Sequence, residues 1–340
     1  MNKIRWILPL LVCCFFLFSC GNSPSYETQS FFAMDTVTEL RIYSRCEDAS
    51  SVFSEGKALV KQIEESISVT KQQSDTARFN ETGTVENASA YFLEMLAISK
   101  EISEATDGAF DVRCGSVIEL WETCEDEGRV PTEKECYEAA TLTTGDILTE
   151  GSRVSSAQNG QRINFGAIGK GYAADKIARQ MQASGVECGL ISFVSSITVF
   201  GERPEGDFSV AIRCPDGTNR IAGRVSLQNE SLSVSGNYER YYEIEGTRYD
   251  HILNPKTGKP SDWNIDSVVV VAETGALADA LSTAITVMGP EKALALYEKG
   301  TLPFEAAIFS GEDLLVTDGF LSAFESEESG YELKLLSEQY

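Results

Sequence analysis

Apolar side chains recur every three or four positions in several parts of the chain, which predicts amphipathic helices. Five stretches have this spacing or a strongly helical composition: 49–66, 89–106, 170–184, 276–288 and 290–298. The Asp107-Gly108 pair supplies the turn that ends the second of them.

Strict alternation of apolar and polar residues, or a short β-branched run, predicts strands. Such stretches begin after residue 36 and recur at 189–201, 209–213, 224–227 and 267–272, with strand pairs around 151 and 245–246. Short strands joined by turns and interspersed with helices favour an α+β fold, with a mixed, largely antiparallel β-sheet core and flanking helices. The sequence has no long-period repeat, and it has no break that would indicate a second domain. We therefore predict a single domain over 31–340.

Charge narrows the choice of partners. The chain has 28 basic and 52 acidic residues and a net charge of −24, which repels nucleic acid, so we expect no nucleic-acid partner. The same repulsion acts on a phosphorylated substrate. A protein this acidic would therefore bind phosphate through a divalent cation and a few placed lysines.

The N-terminus has the pattern of an export signal. Basic Lys3 and Arg5 precede an apolar run that is shorter than the roughly 20 residues of a membrane span. The run ends in LFSC, which resembles a bacterial lipobox. We predict a lipoprotein signal peptide at 1–19, lipidation of Cys20 and a flexible tether over 20–30, with the protein anchored on the extracytoplasmic face of a membrane, periplasmic or external. The alternative is an ordinary secretory signal in which Cys20 is incidental.

A glycine-rich turn at 164–177 runs directly into an alanine-rich helix. Its glycines allow close approach of a ligand, the helix start offers free N–H groups, and Lys170 adds a cation, so the stretch predicts a phosphate-binding site. It matches neither the Walker A motif nor the dinucleotide fingerprint. The alternative is a strand-to-helix turn that only packs against a sheet.

Asp279 and Thr283 stand four residues apart in a predicted helix and so share one face. A carboxylate and a hydroxyl, completed by a backbone carbonyl and substrate phosphate, suit Mg²⁺. The alternative is that Asp279 favours the helix N-terminus and Thr283 bonds back to a carbonyl. A zinc site is not indicated, because the chain has one histidine and no C-x-x-C motif.

His251 is that single histidine, and it precedes a rigid Asn-Pro turn. Since its unperturbed pKa lies near neutrality, it is the best general base or acid in the chain. The alternative is a purely structural histidine.

Six short stretches, in chain order, resemble the motifs of one family. They are MDT at 34–36, GAFD at 108–111, NFGAIGKGYAAD at 164–175, SGNYER at 235–240, HILNPKTGKP at 251–260 and ADALSTA at 278–284. Together they resemble the ApbE-like FAD:protein FMN transferases, bacterial flavin transferases often made as lipoproteins.

The resemblance implies a single catalytic domain that transfers FMN from FAD to a threonine or serine hydroxyl of a partner redox protein, with Mg²⁺, forming a phosphoester and releasing AMP. It implies metal ligation by Asp279, Thr283 and the carbonyl of Ala167, with Ser282 as a possible helper. His251 would take the proton from the attacking hydroxyl, and Lys170 would help to neutralise the diphosphate. The implied FAD-binding residues are Met34, Ala109, Phe110, Asp111, Asn164, Lys170, His251 and Ile252.

The chain departs from the family pattern in three places. Asn164 replaces an aspartate, Asp35 a glycine, and Ser195-Ser196 a Gly-Gly pair. Asn164 keeps an acceptor oxygen but loses the charge. Two alternatives stay open: an FAD diphosphatase, in which water replaces the acceptor hydroxyl, and a non-catalytic FAD-binding lipoprotein.

Overall fold

The computed structural model describes residues 26–203, 205–237, 241–261 and 263–340. The predicted signal peptide at 1–19 and the predicted lipidation site Cys20 lie outside the described residues.

The helices begin at capping residues or tight turns. They are α1 (Ala49–Ile67), α2 (Asp75–Thr82), α3 (Ala90–Ala105), α4 (Gly115–Asp126), α5 (Glu133–Thr141), α6 (Gly169–Ala183), α7 (Gly275–Met288), α8 (Pro290–Lys299) and α9 (Asp318–Ala323), with a 3₁₀-helix at Leu336–Glu338. Asp48 and Ser89 show the usual device: each side chain accepts an N–H of the first turn that follows, of α1 and α3 respectively.

The strands are short and mostly joined by turns. They are β1 (Glu27–Ala33), β2 (Thr36–Ile42), β3 (Thr84–Val85), β4 (Ile147–Glu150), β5 (Arg153–Ser156), β6 (Gly189–Ser192), β7 (Ser196–Phe200), β8 (Phe208–Arg213), β9 (Ile221–Leu227), β10 (Ser231–Gly236), β11 (Tyr241–Ile244), β12 (Thr247–Asp250), β13 (Leu253–Asn254), β14 (Lys259–Pro260), β15 (Ser267–Ala272), β16 (Glu305–Ser310), β17 (Asp313–Val316), β18 (Phe324–Ser326) and β19 (Glu332–Leu335).

The main sheet has nine strands in the order β1-β2-β6-β7-β10-β15-β16-β17-β19. Every neighbouring pair in it is antiparallel except β17 and β19, which are parallel. The helices and this sheet confirm the predicted α+β fold with a mixed, largely antiparallel sheet.

Both faces of the sheet are covered, as alternate residues of β15 show. Val268 and Val270 pack in one hydrophobic cluster with residues of α6 and α7, whereas Val269 and Val271 pack in a second with residues of β8 and β9. Because successive side chains of a strand point to opposite faces, the sheet lies between a helical layer and the small sheet β18-β9-β8.

The starts of α6 and α7 meet at two glycines. A Cβ atom added to Gly171 would overlap the carbonyl oxygen of Gly275, and one added to Gly275 would lie 2.5 Å from the carbonyl oxygen of Gly171. Only hydrogen fits on either side of this contact. The glycines predicted to admit a ligand therefore also admit a second helix.

The predicted tether over 20–30 is wrong at its C-terminal end. Residues 27–30 form the first part of β1, which pairs with β2 along its whole length. Their polar side chains give no strand pattern, and the backbone hydrogen bonds of the hairpin order them instead.

Two further differences from the predicted elements appear. The helix α2 was not predicted: Ser74 caps it through the Ala77 N–H, but Phe79 is its one large buried apolar side chain, so the helical pattern is weak. The predicted single strand at 189–201 is a hairpin of β6 and β7, because the chain turns at Val194 with φ of 66°.

We predict that Gly171→Ala lowers the free energy of unfolding by about 3 kcal/mol or more, because overpacked backbone contacts relax poorly. Urea denaturation of the folded protein measures this value. Gly300→Ala is the control: Gly300 has φ of 63° and open space around it, so its loss should be about 1 kcal/mol. Equal losses for the two variants would contradict the close contact.

Candidate functional site

Asp279 lies buried where α7 crosses the start of α6. Its Oδ2 accepts the N–H of Gly171 at 3.0 Å, and its Oδ1 lies 3.1 Å from the Ser233 hydroxyl and 3.3 Å from the Ser196 hydroxyl. Asp279 thus interacts with the start of another helix, α6, and not only with its own. Contacts on two sides fix the carboxylate that the sequence predicted as a metal ligand.

The Ser196 and Ser233 hydroxyls also bond each other, at 2.6 Å. One of the two protons occupies that bond, so only the other is donated to Asp279 Oδ1. Each carboxylate oxygen then accepts one hydrogen bond and keeps a second acceptor position. The donor set therefore fits a hard cation as an additional partner.

Thr283 lies one turn beyond Asp279. Its hydroxyl lies 3.3 Å from the hydroxyl of Ser235, which in turn lies 2.7 Å from that of Ser282. Ser282 also donates to the carbonyl oxygen of Asp279 at 2.9 Å, so it is Ser282, and not Thr283, that makes the predicted back-bond. Among the described residues, no three or more of His, Cys, Asp and Glu cluster as a metal site. The predicted set contains only one such residue.

Lys170 is the second residue of α6 and is half-buried. In the described part of the chain its ammonium has no hydrogen-bond or ion-pair partner. Ala167, the predicted carbonyl ligand, is half-buried two residues before the helix begins. Within the described residues, the start of α6 therefore has an unpaired cation one residue before Gly171, whose N–H Asp279 accepts.

Asn164 has a local role in this turn. Its Oδ1 accepts the N–H of Gly166 at 2.7 Å, and its own N–H donates to the carbonyl oxygen of Val112 at 2.8 Å. The acceptor oxygen that was expected to contact FAD thus already shapes the turn that enters α6.

His251 lies beside Asp250 on the segment after β12. Its Nδ1 lies 3.4 Å from Asp250 Oδ1 but makes no hydrogen bond within the described residues, and 34% of its side chain is exposed. Asp250 Oδ1 is itself fixed by the N–H of Ile252 at 2.9 Å. A carboxylate at this position favours a proton on Nδ1, which leaves Nε2 as the atom that can accept one.

Two hydrogen bonds connect the His251 segment to α7. The N–H of Ser261 donates to the Ile252 carbonyl at 3.1 Å, and the Ser261 hydroxyl donates to the Thr286 carbonyl at 2.6 Å. Thr286 lies three residues beyond Thr283. The histidine segment is therefore anchored on the helix that carries the candidate metal ligands.

An ion pair joins this segment to the GAFD stretch: Lys256 Nζ lies 2.6 Å from Asp107 Oδ2. Four of the predicted FAD-binding residues are buried side chains and so present little side-chain surface to a ligand. They are Ala109, Phe110, Asp111 and Ile252.

Asp111 is also occupied, because Arg113 pairs with its carboxylate at 2.6 Å. The expected contact between this carboxylate and FAD would have to compete with that ion pair. Met34 sits in the β1–β2 turn with φ of 50°, and its Cε would lie 3.2 Å from a Cβ at Gly169. Met34, one of the predicted FAD-binding residues, therefore lies beside the start of α6.

Asp175, on α6, is a second carboxylate at the crossing and was not predicted. Burial raises its pKa to about 6, against the lowering effect of the N–H groups of Ala276 and Gly275 and of nearby Arg179; the charge of Asp279 raises it further. Ser233 was missed as well. Its only signal is the repetition of serine at 231, 233 and 235, which places hydroxyls on one face of a buried strand.

Val194 is strained. It has φ of 66°, a left-handed conformation that β-branched residues rarely adopt, and its side chain is 62% exposed. It immediately precedes Ser195-Ser196, where the sequence departs from the family pattern. In this turn, Val194 is therefore the residue whose backbone conformation favours glycine.

At the crossing of the two helix starts, a buried carboxylate and a lysine without a partner among the described residues offer groups suited to a cation and to an anion. The family model that matches residues 34–308 is that of the ApbE family, and the chain belongs to this family.

Relatives and solved structures cover most of the chain. A Treponema pallidum protein named FAD:protein FMN transferase is 31% identical over 321 residues, 86% of this chain and 88% of its own length. A protein of the same name from Escherichia coli K12 is 32% identical over 239 residues, which cover 67% of this chain and 68% of its own length. An ApbE protein structure from Thermotoga maritima has a TM-score of 0.76 at 28% identity, covering 89% of this chain and 97% of its own. The apo structure of the flavinyl transferase ApbE of Pseudomonas stutzeri has a TM-score of 0.75 at 27% identity, covering 89% of this chain and 98% of its own.

We predict that Val194→Gly raises the free energy of unfolding by about 1 kcal/mol, because it relieves the left-handed strain. Urea denaturation provides the measurement. Val37→Gly is the matched control: Val37 is 54% exposed and lies in β2, where glycine should cost about 1 kcal/mol. A loss of stability in both variants would show that Val194 is not strained.

The raised pKa of Asp175 predicts a pH dependence. The pKa of Asp175 is higher in the folded than in the unfolded protein, so between about pH 4 and 6 the folded protein binds a proton that the unfolded protein has lost. The contribution of Asp175 to the free energy of unfolding therefore falls as pH rises, by up to roughly 3 kcal/mol. The stability advantage of the unaltered protein over Asp175→Asn should therefore shrink between pH 4.5 and 7.5. Asp216, whose pKa is lowered to about 2 by hydrogen bonds from Thr218 and Arg220, loses its contribution only below about pH 4, so the difference for Asp216→Asn should stay flat from pH 4.5 to 7.5. A flat Asp175→Asn difference would contradict the raised pKa.

Proposed function

We propose that this chain is an FAD:protein FMN transferase that acts on a threonine or serine hydroxyl of a partner redox protein. The names of its relatives support the transfer of FMN from FAD to protein. The hydroxyl oxygen would attack the phosphorus of the FMN moiety, and the bond from that phosphorus to the oxygen shared with AMP would break. The products are a phosphoester and AMP.

One observation carries the proposal: the carboxylate of Asp279 is fixed against the start of α6, where Lys170 is unpaired. The residues that would hold Mg²⁺ are Asp279, Thr283 and the carbonyl of Ala167, since both Asp279 oxygens keep an acceptor position. When bound, Mg²⁺ supplies positive charge to the phosphate oxygens. Lys170 would bind the diphosphate, and the positive end of the α6 dipole would favour its negative charge.

His251 is the proposed base. Asp250 favours the tautomer with the proton on Nδ1, so Nε2 accepts the hydroxyl proton of the acceptor. Two hydrogen bonds through Ser261 tie the backbone of the next residue, Ile252, to α7. They support the proposal that the base and the metal ligands belong to one site.

We also propose that the protein is a lipoprotein, lipidated at Cys20 and attached to the extracytoplasmic face of a membrane. The LFSC sequence and the short apolar run support this. Among the described residues, no helix has the length and apolar character of a membrane span.

The direct test mixes the protein with FAD, Mg²⁺ and a candidate acceptor that carries an accessible threonine. We expect AMP release and a mass increase of one FMN on the acceptor. AMP release with only free FMN would indicate the diphosphatase instead. FAD binding without AMP at any Mg²⁺ concentration would indicate a binding protein, and either result would contradict the proposal.

Site variants should lower the transfer rate to different degrees. Asp279→Ala removes several kcal/mol of charge stabilisation and should cost about 100-fold or more. His251→Ala should cost between about 100-fold and 10,000-fold. Lys170→Ala should weaken FAD binding, whereas Lys100→Ala, an exposed lysine on α3, should change neither value. Full activity of Asp279→Ala would eliminate the metal assignment.

A further inference from the structure

Asp175, on α6, bonds to the start of α7. Its Oδ1 accepts the N–H of Gly275 at 2.6 Å, and its Oδ2 accepts the N–H of Ala276 at 3.0 Å. Gly275 and Ala276 are the first two residues of α7, so both carboxylate oxygens of Asp175 on α6 bond to the start of α7.

The arrangement is reciprocal. Asp175 on α6 caps the start of α7, and Asp279 on α7 accepts the Gly171 N–H at the start of α6. Two carboxylates and two helix starts thus form a closed set at the Gly171–Gly275 contact. A shift of either helix along its axis would break the hydrogen bonds accepted by Asp175 and the one that Asp279 accepts from Gly171.

The local cap of α7 comes from elsewhere. The Thr274 hydroxyl accepts the N–H of Leu277 at 3.3 Å, as an ordinary N-cap does. The contacts of Asp175 are therefore tertiary, and water or a local polar side chain could satisfy the same N–H groups without fixing α7 to α6. What Asp175 adds is the relative position of the helices.

We propose that Asp175 is a positioning residue for the metal and diphosphate site, holding Asp279 and Thr283 on α7 at a fixed distance from Lys170 on α6. This inference rests on the proposed function. Its contact is with backbone N–H groups, and it acts on the candidate ligands through the first turn of α7. Outer partners of this kind typically change metal affinity 10-fold to 100-fold when they are altered.

The test is Asp175→Asn in the folded protein, with Mg²⁺ binding measured by isothermal titration calorimetry in the presence of FAD. Asparagine offers one acceptor to two N–H donors and turns an NH₂ group toward the other. We expect the Mg²⁺ dissociation constant to rise at least about 10-fold. Transfer at saturating Mg²⁺ should recover most of the unaltered rate, since no reacting group is lost.

Two variants separate positioning from a general loss of stability. Asp48→Asn makes the same chemical change at the exposed N-cap of α1, and Thr274→Ala removes the local cap of α7 while Asp175 stays. Thr274→Ala should lower the melting temperature, whereas Asp48→Asn should change it little because asparagine also caps a helix; both should leave Mg²⁺ affinity within 2-fold. If Thr274→Ala weakens Mg²⁺ binding as much as Asp175→Asn, the role belongs to helix capping in general and the inference is overturned.

Asp175→Ala provides a second measurement, because alanine places no NH₂ group against the helix. Unaltered Mg²⁺ affinity in either folded Asp175 variant overturns the inference while the proposed function stands, provided the unaltered protein attaches FMN to its acceptor. If the unaltered protein binds no Mg²⁺ and attaches no flavin, the proposed function fails, and this inference fails with it.

Discussion

The contact between the starts of α6 and α7 is the constraint on which the site depends. Two backbones can approach this closely only because Gly171 and Gly275 lack side chains. The approach places the free N–H groups of each helix beside a carboxylate of the other, Asp279 and Asp175. Since buried N–H groups need partners, the carboxylates are held by the fold itself. Lys170, on the first turn of α6, has no partner among the described residues.

The sequence predicted the long helices well and the strand boundaries less well, for physical reasons. Helices such as α1 and α3 have buried side chains at regular spacing, a pattern that is visible without tertiary structure. The strand β1 begins with polar residues and is ordered by pairing with β2, which the sequence does not reveal. The hairpin of β6 and β7 was missed because Val194 takes a conformation that normally requires glycine.

The candidate site was predictable where a motif carries the chemistry and not where packing creates it. Asp279 and Lys170 were found because a spaced carboxylate and a lysine in a glycine-rich turn suggest their roles directly. Asp175 ends the same motif, but the motif suggested no role for it, since its contacts are with a helix that begins 100 residues later in the chain. Asp111 shows the converse: its motif suggested a ligand contact but not the ion pair with Arg113 that the structure contains.

The charge balance at the crossing explains how a chain of net −24 could bind the proposed diphosphate. Lys170 contributes one positive charge, and each helix start contributes about half of one. Asp175 and Asp279 offset these charges, so the crossing by itself is close to neutral. The negative charge of a diphosphate then needs a separate counter-charge, which the proposed divalent cation beside Asp279 would supply. Acidic residues farther than about 8 Å are largely screened at physiological salt, so the local balance outweighs the net charge.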